Sequence, residues 1–350
     1  MIILGIESSC DETGVAIVEN GTTLLANSLA SSMDIHAQYG GVIPEIAARS
    51  HIEAIIPIID KTLAIFSREK NLSGDPWDSI DGIAVTNGAG LSGSLLIGVL
   101  TARTLAITKK KPLYGINHVE AHVYANFLTD IIPQFPFLAL IVSGGHTQLV
   151  YFRNHFDYDL LGQTVDDAIG EAFDKVAKIT GLPYPGGPNI AQAAKFGNEN
   201  AIALPTPKVE GDYNFSFSGL KTAVLRASQA LVGEDYRLAS TELPSRLSVA
   251  QKNNIAASFQ NKALQIVVDK TKKAYFEYNP KTVVIAGGVA ASAELRQKLS
   301  AALPLEIHYA PANLCTDNGA MVATLGCYKA MLDSEPANTY DLAIEPNLKM

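Results

Sequence analysis

Met1-Ile2-Ile3-Leu4-Gly5-Ile6-Glu7-Ser8-Ser9-Cys10-Asp11-Glu12-Thr13-Gly14-Val15-Ala16-Ile17-Val18 decides the architecture. Two apolar runs, Ile2 to Ile6 and Gly14 to Val18, flank a polar stretch, which reads as strand, turn and strand. The plan returns later: Phe137 to Val142 is apolar, Ser143-Gly144-Gly145-His146-Thr147 is small and polar, and Leu149 to Phe152 is apolar again. A plan that occurs twice predicts a duplicated chain whose halves each open on a hairpin.

Outward from the first hairpin, Ile46 to Phe66 has helical spacing interrupted by Pro57. Ile80 to Thr86 reads as a strand feeding Asn87-Gly88-Ala89-Gly90 and a helix from Ser92 to Thr108, and Leu113 to Ile116 as a further strand. Beyond the second hairpin, Ala168 to Thr180, Gly219 to Leu231 and Val249 to Tyr275 are helical in pattern. Lys281 to Ala286 forms a short buried strand opening into Gly287-Gly288, with another helix behind it. The expectation is mixed α/β, with subdomains at 1–132 and 133–330 and a tail at 331–350.

Composition narrows the function. With 350 residues, 47% hydrophobic and 18% charged, the chain can bury a large core in two domains. The apolar opening run reads as a first strand rather than a signal peptide, and no apolar stretch approaches the roughly 20 residues of a membrane helix. The three cysteines, Cys10, Cys315 and Cys327, make neither a disulfide framework nor a thiolate metal cage, so a reducing, cytoplasmic setting is expected. A net charge of -8 argues against a protein that coats nucleic acid non-specifically. Lys109-Lys110-Lys111 and Lys270-x-Lys272-Lys273 are candidate local patches, and equally ordinary solvated helix ends.

Hairpins repeated once per half, with small turns facing a cleft, resemble those with which actin, the heat-shock chaperones and the sugar kinases hold nucleotide phosphates. The fold class implied is a duplicated actin-like ATPase fold, two α/β subdomains with a cleft between them. Tight turns of Gly, Ser and Thr let backbone N–H groups approach an anion with no side chain in the way.

His118-Val119-Glu120-Ala121-His122 follows the strand ending at Ile116. On a helix its two imidazoles share one face and reach one ion, whereas a bare pair at this spacing also reads as surface or cap histidines. Glu120 stands two residues from either histidine, about 200° around the helix, so a metalloprotease reading loses its general base. A third ligand must come from afar, and Cys315-Thr316-Asp317-Asn318-Gly319, just before an apolar helix, offers Asp317. Asp317 reads equally as the cap of that helix. Two imidazoles and one carboxylate would leave open positions on iron(II) or zinc.

Longer motifs resemble the TsaD family, the tRNA N6-adenosine threonylcarbamoyltransferases once called O-sialoglycoprotein endopeptidases. They are Glu7 to Thr13, His36-Ala37-x-Tyr39-Gly40-Gly41-Val42-x-Pro44-Glu45, His118 to His122 and Ser143-Gly144-Gly145-His146-Thr147-Gln148. Further along come Asp166-Asp167-Ala168-x-Gly170-Glu171-Ala172-Phe173-Asp174-Lys175, Tyr184 to Pro188, Phe215 to Thr222, and Cys315 to Ala320. The resemblance implies that His118, His122 and Asp317 bind the metal, Fe(2+) or alternatively Zn(2+). It implies that Ile141, Val142, Ser143, Gly144, Gly145, Asp174 and Gly187 line the nucleotide or acyl-adenylate site, with Asp174 accepting from ribose hydroxyls. Two departures stand out: Ser292 occupies the place of a ligand-contacting Asn, and Asn189, Ile190 and Ala191 follow Pro188 where an Asp is usual.

The activity so implied is transfer of the threonylcarbamoyl group from threonylcarbamoyl-AMP to the N6 amine of the adenosine beside the anticodon. Asp11 or Glu12 is the candidate base, and either equally braces the hairpin. Implied partners are the anticodon loop of tRNA, a TsaB-like paralogous subunit, a TsaE-like ATPase and a separate enzyme that makes the acyl-adenylate. The alternatives are a non-catalytic nucleotide-binding scaffold, which Ser292 and the missing Asp favour, a metal-dependent endopeptidase and a carbamoyl-phosphate-dependent O-carbamoyltransferase.

Overall fold

The computed structural model describes residues 1–332 and 334–350. In chain order it begins with β1 (Ile2–Glu7), β2 (Glu12–Glu19), β3 (Thr23–Ser31), α1 (Met33–Ala37) and α2 (Pro44–Glu69). There follow β4 (Gly82–Gly88), α3 (Ser92–Lys109), β5 (Leu113–Asn117) and α4 (His118–Tyr124). The second half has β6 (Phe137–Val142), β7 (Thr147–Asn154), β8 (Asp157–Gln163), α5 (Ile169–Thr180), α6 (Gly186–Ala194) and α7 (Ser218–Leu231). Then come α8 (Leu243–Arg246), α9 (Val249–Tyr278), β9 (Thr282–Ala286), α10 (Ala293–Ala302), β10 (Ile307–Tyr309), α11 (Ala312–Cys315) and α12 (Gly319–Met331).

The duplication is visible in the strand orders. One five-stranded sheet runs β3-β2-β1-β4-β5 and the other β8-β7-β6-β9-β10, the same order once the second set is matched to the first. In each, a hairpin and a third strand pair antiparallel, β1 with β2 (Ile2 opposite Glu19) and β6 with β7 (Phe137 opposite Phe152). The later strands add in parallel, β4 on β1 and β9 on β6.

The chain divides into one unit of Met1–Pro133 with Ala310–Met350 and another of Gln134–Tyr309. The expected assignment of 310–330 to the second half, with a separate tail from 331, is therefore corrected. The reason is a close approach: α12 lies on β1 and β2, and a Cβ on Gly5 would stand 2.3 Å from the Ala323 amide nitrogen, one on Gly319 2.4 Å from that of Ala16. Only glycine allows this contact. Leu4, Ile6, Val15, Ile17 and Val85 on the sheet pack with Ile55, Ile59, Phe66 and Val99 of α2 and α3. With helices on both faces the first strand is apolar throughout instead of alternating.

Pro57 does not interrupt α2, which runs unbroken from Pro44 to Glu69. An interior proline costs about 3 kcal/mol, and here Ile55, Ile58 and Ile59 on either side of it are buried. Each such side chain contributes about 1.5–3 kcal/mol. The segment after Gly287 first makes a short 3₁₀ turn, Gly288–Ala291, before α10 begins. No helix of the described residues is long and apolar enough to cross a membrane.

Candidate metal centre and nucleotide turn

In the first unit, β5 ends in Asn117, whose Oδ1 accepts from the Val119 (2.9 Å) and Glu120 (3.2 Å) amides and so starts α4. The helix sets His118 and His122 on one face, ring centroids 4.7 Å apart. Asp317 Oδ1 lies 3.6 Å from His118 Nε2 and 3.3 Å from His122 Nε2. The cap that Asp317 offered in sequence is supplied by Asn318, which accepts from Ala320 (2.9 Å) and Met321 (3.1 Å) at the start of α12. Asp317 thereby faces the imidazoles.

Ligand atoms of His118, His122 and Asp317 all lie within 4.8 Å of one another, a group that could hold a metal ion. His122 is buried and neither of its ring nitrogens makes a hydrogen bond. A buried imidazole with that deficit is costly unless something completes it. Two nitrogens and one carboxylate oxygen suit a divalent transition metal, so the residues fit the group the motif implies.

Behind His118 stands Glu7, fully buried at the end of β1. Its Oε1 accepts from the Ser9 amide at 2.6 Å, and its Oε2 accepts from the Thr86 hydroxyl at 2.7 Å and lies 3.1 Å from His118 Nδ1. Ser9 Oγ is also 3.1 Å from that nitrogen. This carboxylate orients the ring from the side away from Asp317, the arrangement that fixes the tautomer of a ligating histidine. Burial pushes Glu7 up, and the neighbouring His118 more than reverses this, so its carboxyl lies below the usual range. Burial opposes charge on His118, but Asp317 and Glu7 outweigh it and raise the imidazole to about 9. The sequence reading gave Glu7 no role; its signal was an acid closing an otherwise wholly apolar strand.

Glu120 is buried on α4 and is not among the side chains that converge with the histidines. Burial raises its carboxyl to about 7, and the charge acting on it is that of Lys329 on α12. Asp11 and Glu12 lie at the start of β2 near Asp317: burial first and that carboxylate second raise both, Glu12 to about 8.

The two hairpin turns differ in openness. Ser8 and Ser9 are buried, and the carbonyls of the first turn are occupied: Ser9 O accepts from Leu91 N at 2.8 Å, and Cys10 O from Ser94 Oγ at 3.1 Å. In the second unit Gly144 and Gly145 are exposed, and a Cβ on either would meet nothing within 4 Å. That turn is seated by Ser143 O, which accepts from Gly170 N at 3.2 Å in α5. Of the two expected phosphate turns, the second exposes its glycine backbone, while Cys10, Asp11 and Glu12 of the first are half-buried.

Ile141 and Val142 are buried within β6, directly before the turn. Asp174 on α5 accepts from Gly186 N at 2.7 Å, joining it to Gly187 at the start of α6. Burial raises its carboxyl. Ser292 Oγ caps α10, accepting from Leu295 N at 3.3 Å. Asp166 accepts from the Phe217 (2.8 Å) and Ser218 (3.2 Å) amides, and Asp167 sits between Lys175 (2.7 Å) and Lys221 (2.9 Å), fastening α7 to α5.

A family model described as TsaD: tRNA N6-adenosine threonylcarbamoyltransferase matches residues 23–324. The chain belongs to the TsaD family. A curated relative of that name from Symbiobacterium thermophilum is 46% identical over 330 residues, covering 93% of this chain and 91% of its own. Another from Bacillus subtilis is 43% identical over 357 residues, covering 100% and 96%. TsaD members are transferases by name.

Solved structures show the fold alone. The Acidaminococcus fermentans (R)-2-hydroxyglutaryl-CoA dehydratase component A superposes with TM-score 0.50 at 16% identity, over 95% of this chain and 100% of its own. Full-length HypF in its phosphate- and nucleotide-bound form gives 0.59 at 11% identity, over 95% of this chain and 56% of its own. With the repeated strand order, this is the duplicated actin-like ATPase fold.

Proposed function

We propose that this protein transfers the threonylcarbamoyl group of threonylcarbamoyl-AMP to the N6 amine of the adenosine next to the anticodon, position 37, in tRNAs reading codons that start with A. The observation that carries the reading is the convergence of His118, His122 and Asp317 in a chain of the TsaD family.

The donor is a mixed anhydride. The amine nitrogen bonds to the carbamoyl carbon, the bond from that carbon to the phosphate oxygen breaks, and AMP departs with the electron pair. His118, His122 and Asp317 would hold the ion, proposed to be Fe(2+) with Zn(2+) as the alternative, which would supply Lewis acidity towards donor oxygens. Glu7 keeps His118 oriented. The backbone N–H groups of the turn at Ser143, Gly144 and Gly145, with Ile141 and Val142 behind them, receive the phosphate, and Asp174 with Gly187 the ribose side. Ser292, engaged as a cap, is proposed to retain one contact through its hydroxyl. An exocyclic amine is a weak nucleophile, and Glu12, with Asp11 beside it, is the group proposed to take its proton.

The anticodon loop is single-stranded, so its base can be splayed towards the donor. A net charge of -8 leaves room for partners to add positive charge. Ile52 and Ile56 on α2 and Leu96 and Leu100 on α3 are exposed, and a TsaB-like paralogous subunit is the proposed partner. A TsaE-like ATPase and a cytoplasmic setting complete the proposal.

The test is transfer of labelled threonine from preformed threonylcarbamoyl-AMP into unmodified tRNA with the partner proteins, comparing wild type with His118→Ala. Label in the wild-type reaction only is expected. No label with wild type, while nucleotide still binds, would replace this reading by a non-catalytic scaffold.

A further inference from the structure

Beyond α12 the chain turns back along β5. Ala337 N donates to Leu113 O at 2.7 Å, and the Arg103 guanidinium of α3 donates to Thr339 O at 2.9 Å and to Tyr340 O. Leu342 and Ile344 pack against the core of the first unit, with Leu342 Cδ1 3.2 Å from where a Cβ on Gly115 would stand. Asn87 at the end of β4 accepts from Glu345 N at 2.7 Å and donates through Nδ2 to Ala343 O at 3.3 Å, and Gly90 N donates to Pro346 O at 3.1 Å. The run finishes at Asn117, whose Nδ2 donates to Lys349 O at 3.1 Å.

Asn117 is therefore used at both ends of its amide. Nδ2 holds residue 349, and Oδ1 caps α4 one residue before His118. An amide rotor anchored on one side presents its oxygen in one direction only. That direction sets where α4 starts, and hence where both imidazoles point.

We propose that residues 337–349 form a strap that positions the metal ligands, with Asn117 as the positioning residue through which it acts. This rests on the reading that His118, His122 and Asp317 bind a divalent metal. A structural hydrogen bond would hold the strap down. This one, in addition, fixes the cap of the ligand-bearing helix.

Asn117→Ser separates the two ends, because serine caps about as well as asparagine but is too short to reach the Lys349 carbonyl. Leu342→Ala loosens the strap without touching cap or ligands. Cobalt(II) is titrated into the full-length wild type and variants, following its visible absorption bands, and amide exchange at Val119 and Glu120 is read in the same proteins. In Asn117→Ser the amides are expected to keep protection while Co(II) affinity falls by about 10-fold, the lower end of what an outer-shell partner contributes, with altered band shape. Leu342→Ala should act in the same direction and the double variant should add little to either, as for residues in one linkage. Wild-type affinity and spectra in both single variants would overturn the strap's role and leave the metal site standing. A wild type that takes up no more Co(II) than His122→Ala would overturn the metal reading and the strap with it.

Discussion

Asp317 Oδ1 lies 3.3 Å from His122 Nε2, and its carboxylate turns there because Asn318 takes the cap of α12. Exchanging that division of labour should undo the site. Asp317→Ala is expected to keep the helix, since Asn318 is untouched, and to weaken Zn(II) or Fe(II) binding by more than the roughly 10–100-fold typical of an outer-shell partner. Metal content after dialysis, beside circular dichroism, checks it; retained metal would move the third ligand elsewhere.

Glu7 acts one shell further out. Glu7→Gln keeps an oxygen for the Ser9 amide but removes the charge beside His118 Nδ1, and metal affinity should fall by roughly 10–100-fold. A competitive chelator titration measures this. Unchanged affinity would make Glu7 a turn brace and nothing more.

Glycines at the two kinds of position should separate folding from binding. Gly144→Val enters open space, so thermal stability should hold while adenine-nucleotide affinity falls. Gly319→Ala drives a methyl to 2.4 Å from the Ala16 amide nitrogen and should destabilise by about 1–3 kcal/mol or more, as overpacking does. Calorimetry and nucleotide titration on the same pair read both.

Stability should also fall in mild acid. Burial holds His155 at about 4 against an ordinary value of 6.5, next to the Phe135 ring at 4.7 Å. Between these values the unfolded chain binds a proton that the folded one refuses, so the contribution is whole above 6.5 and is lost as pH falls towards 4. Urea midpoints at pH 7 and pH 5 should differ less in His155→Gln than in wild type; an equal difference would remove His155 from the account.

Local chemistry was readable without coordinates. Alternation of apolar runs with polar turns gave both hairpins, and helical spacing gave the shared face of His118 and His122. Each depends on residues a few places apart, whose relative direction follows from backbone geometry alone. The motif resemblance pointed to the candidate ligands and the candidate nucleotide turn in the same way, position by position.

What needed the tertiary structure was everything joining distant segments. Which sheet α12 covers follows from the Gly5 and Gly319 contact, and no local pattern in an apolar helix names its partner. Whether Asp317 caps or faces the histidines depends on Asn318 winning the cap, and Glu7 reaches His118 only because β1 and β5 both flank β4. Sequence by itself determined both hairpins, the longer helices, the duplicated plan and the candidate ligands. Sheet membership of 310–350, the outer-shell carboxylate and the openness of one turn over the other were decided by packing, because they depend on contacts between residues far apart along the chain.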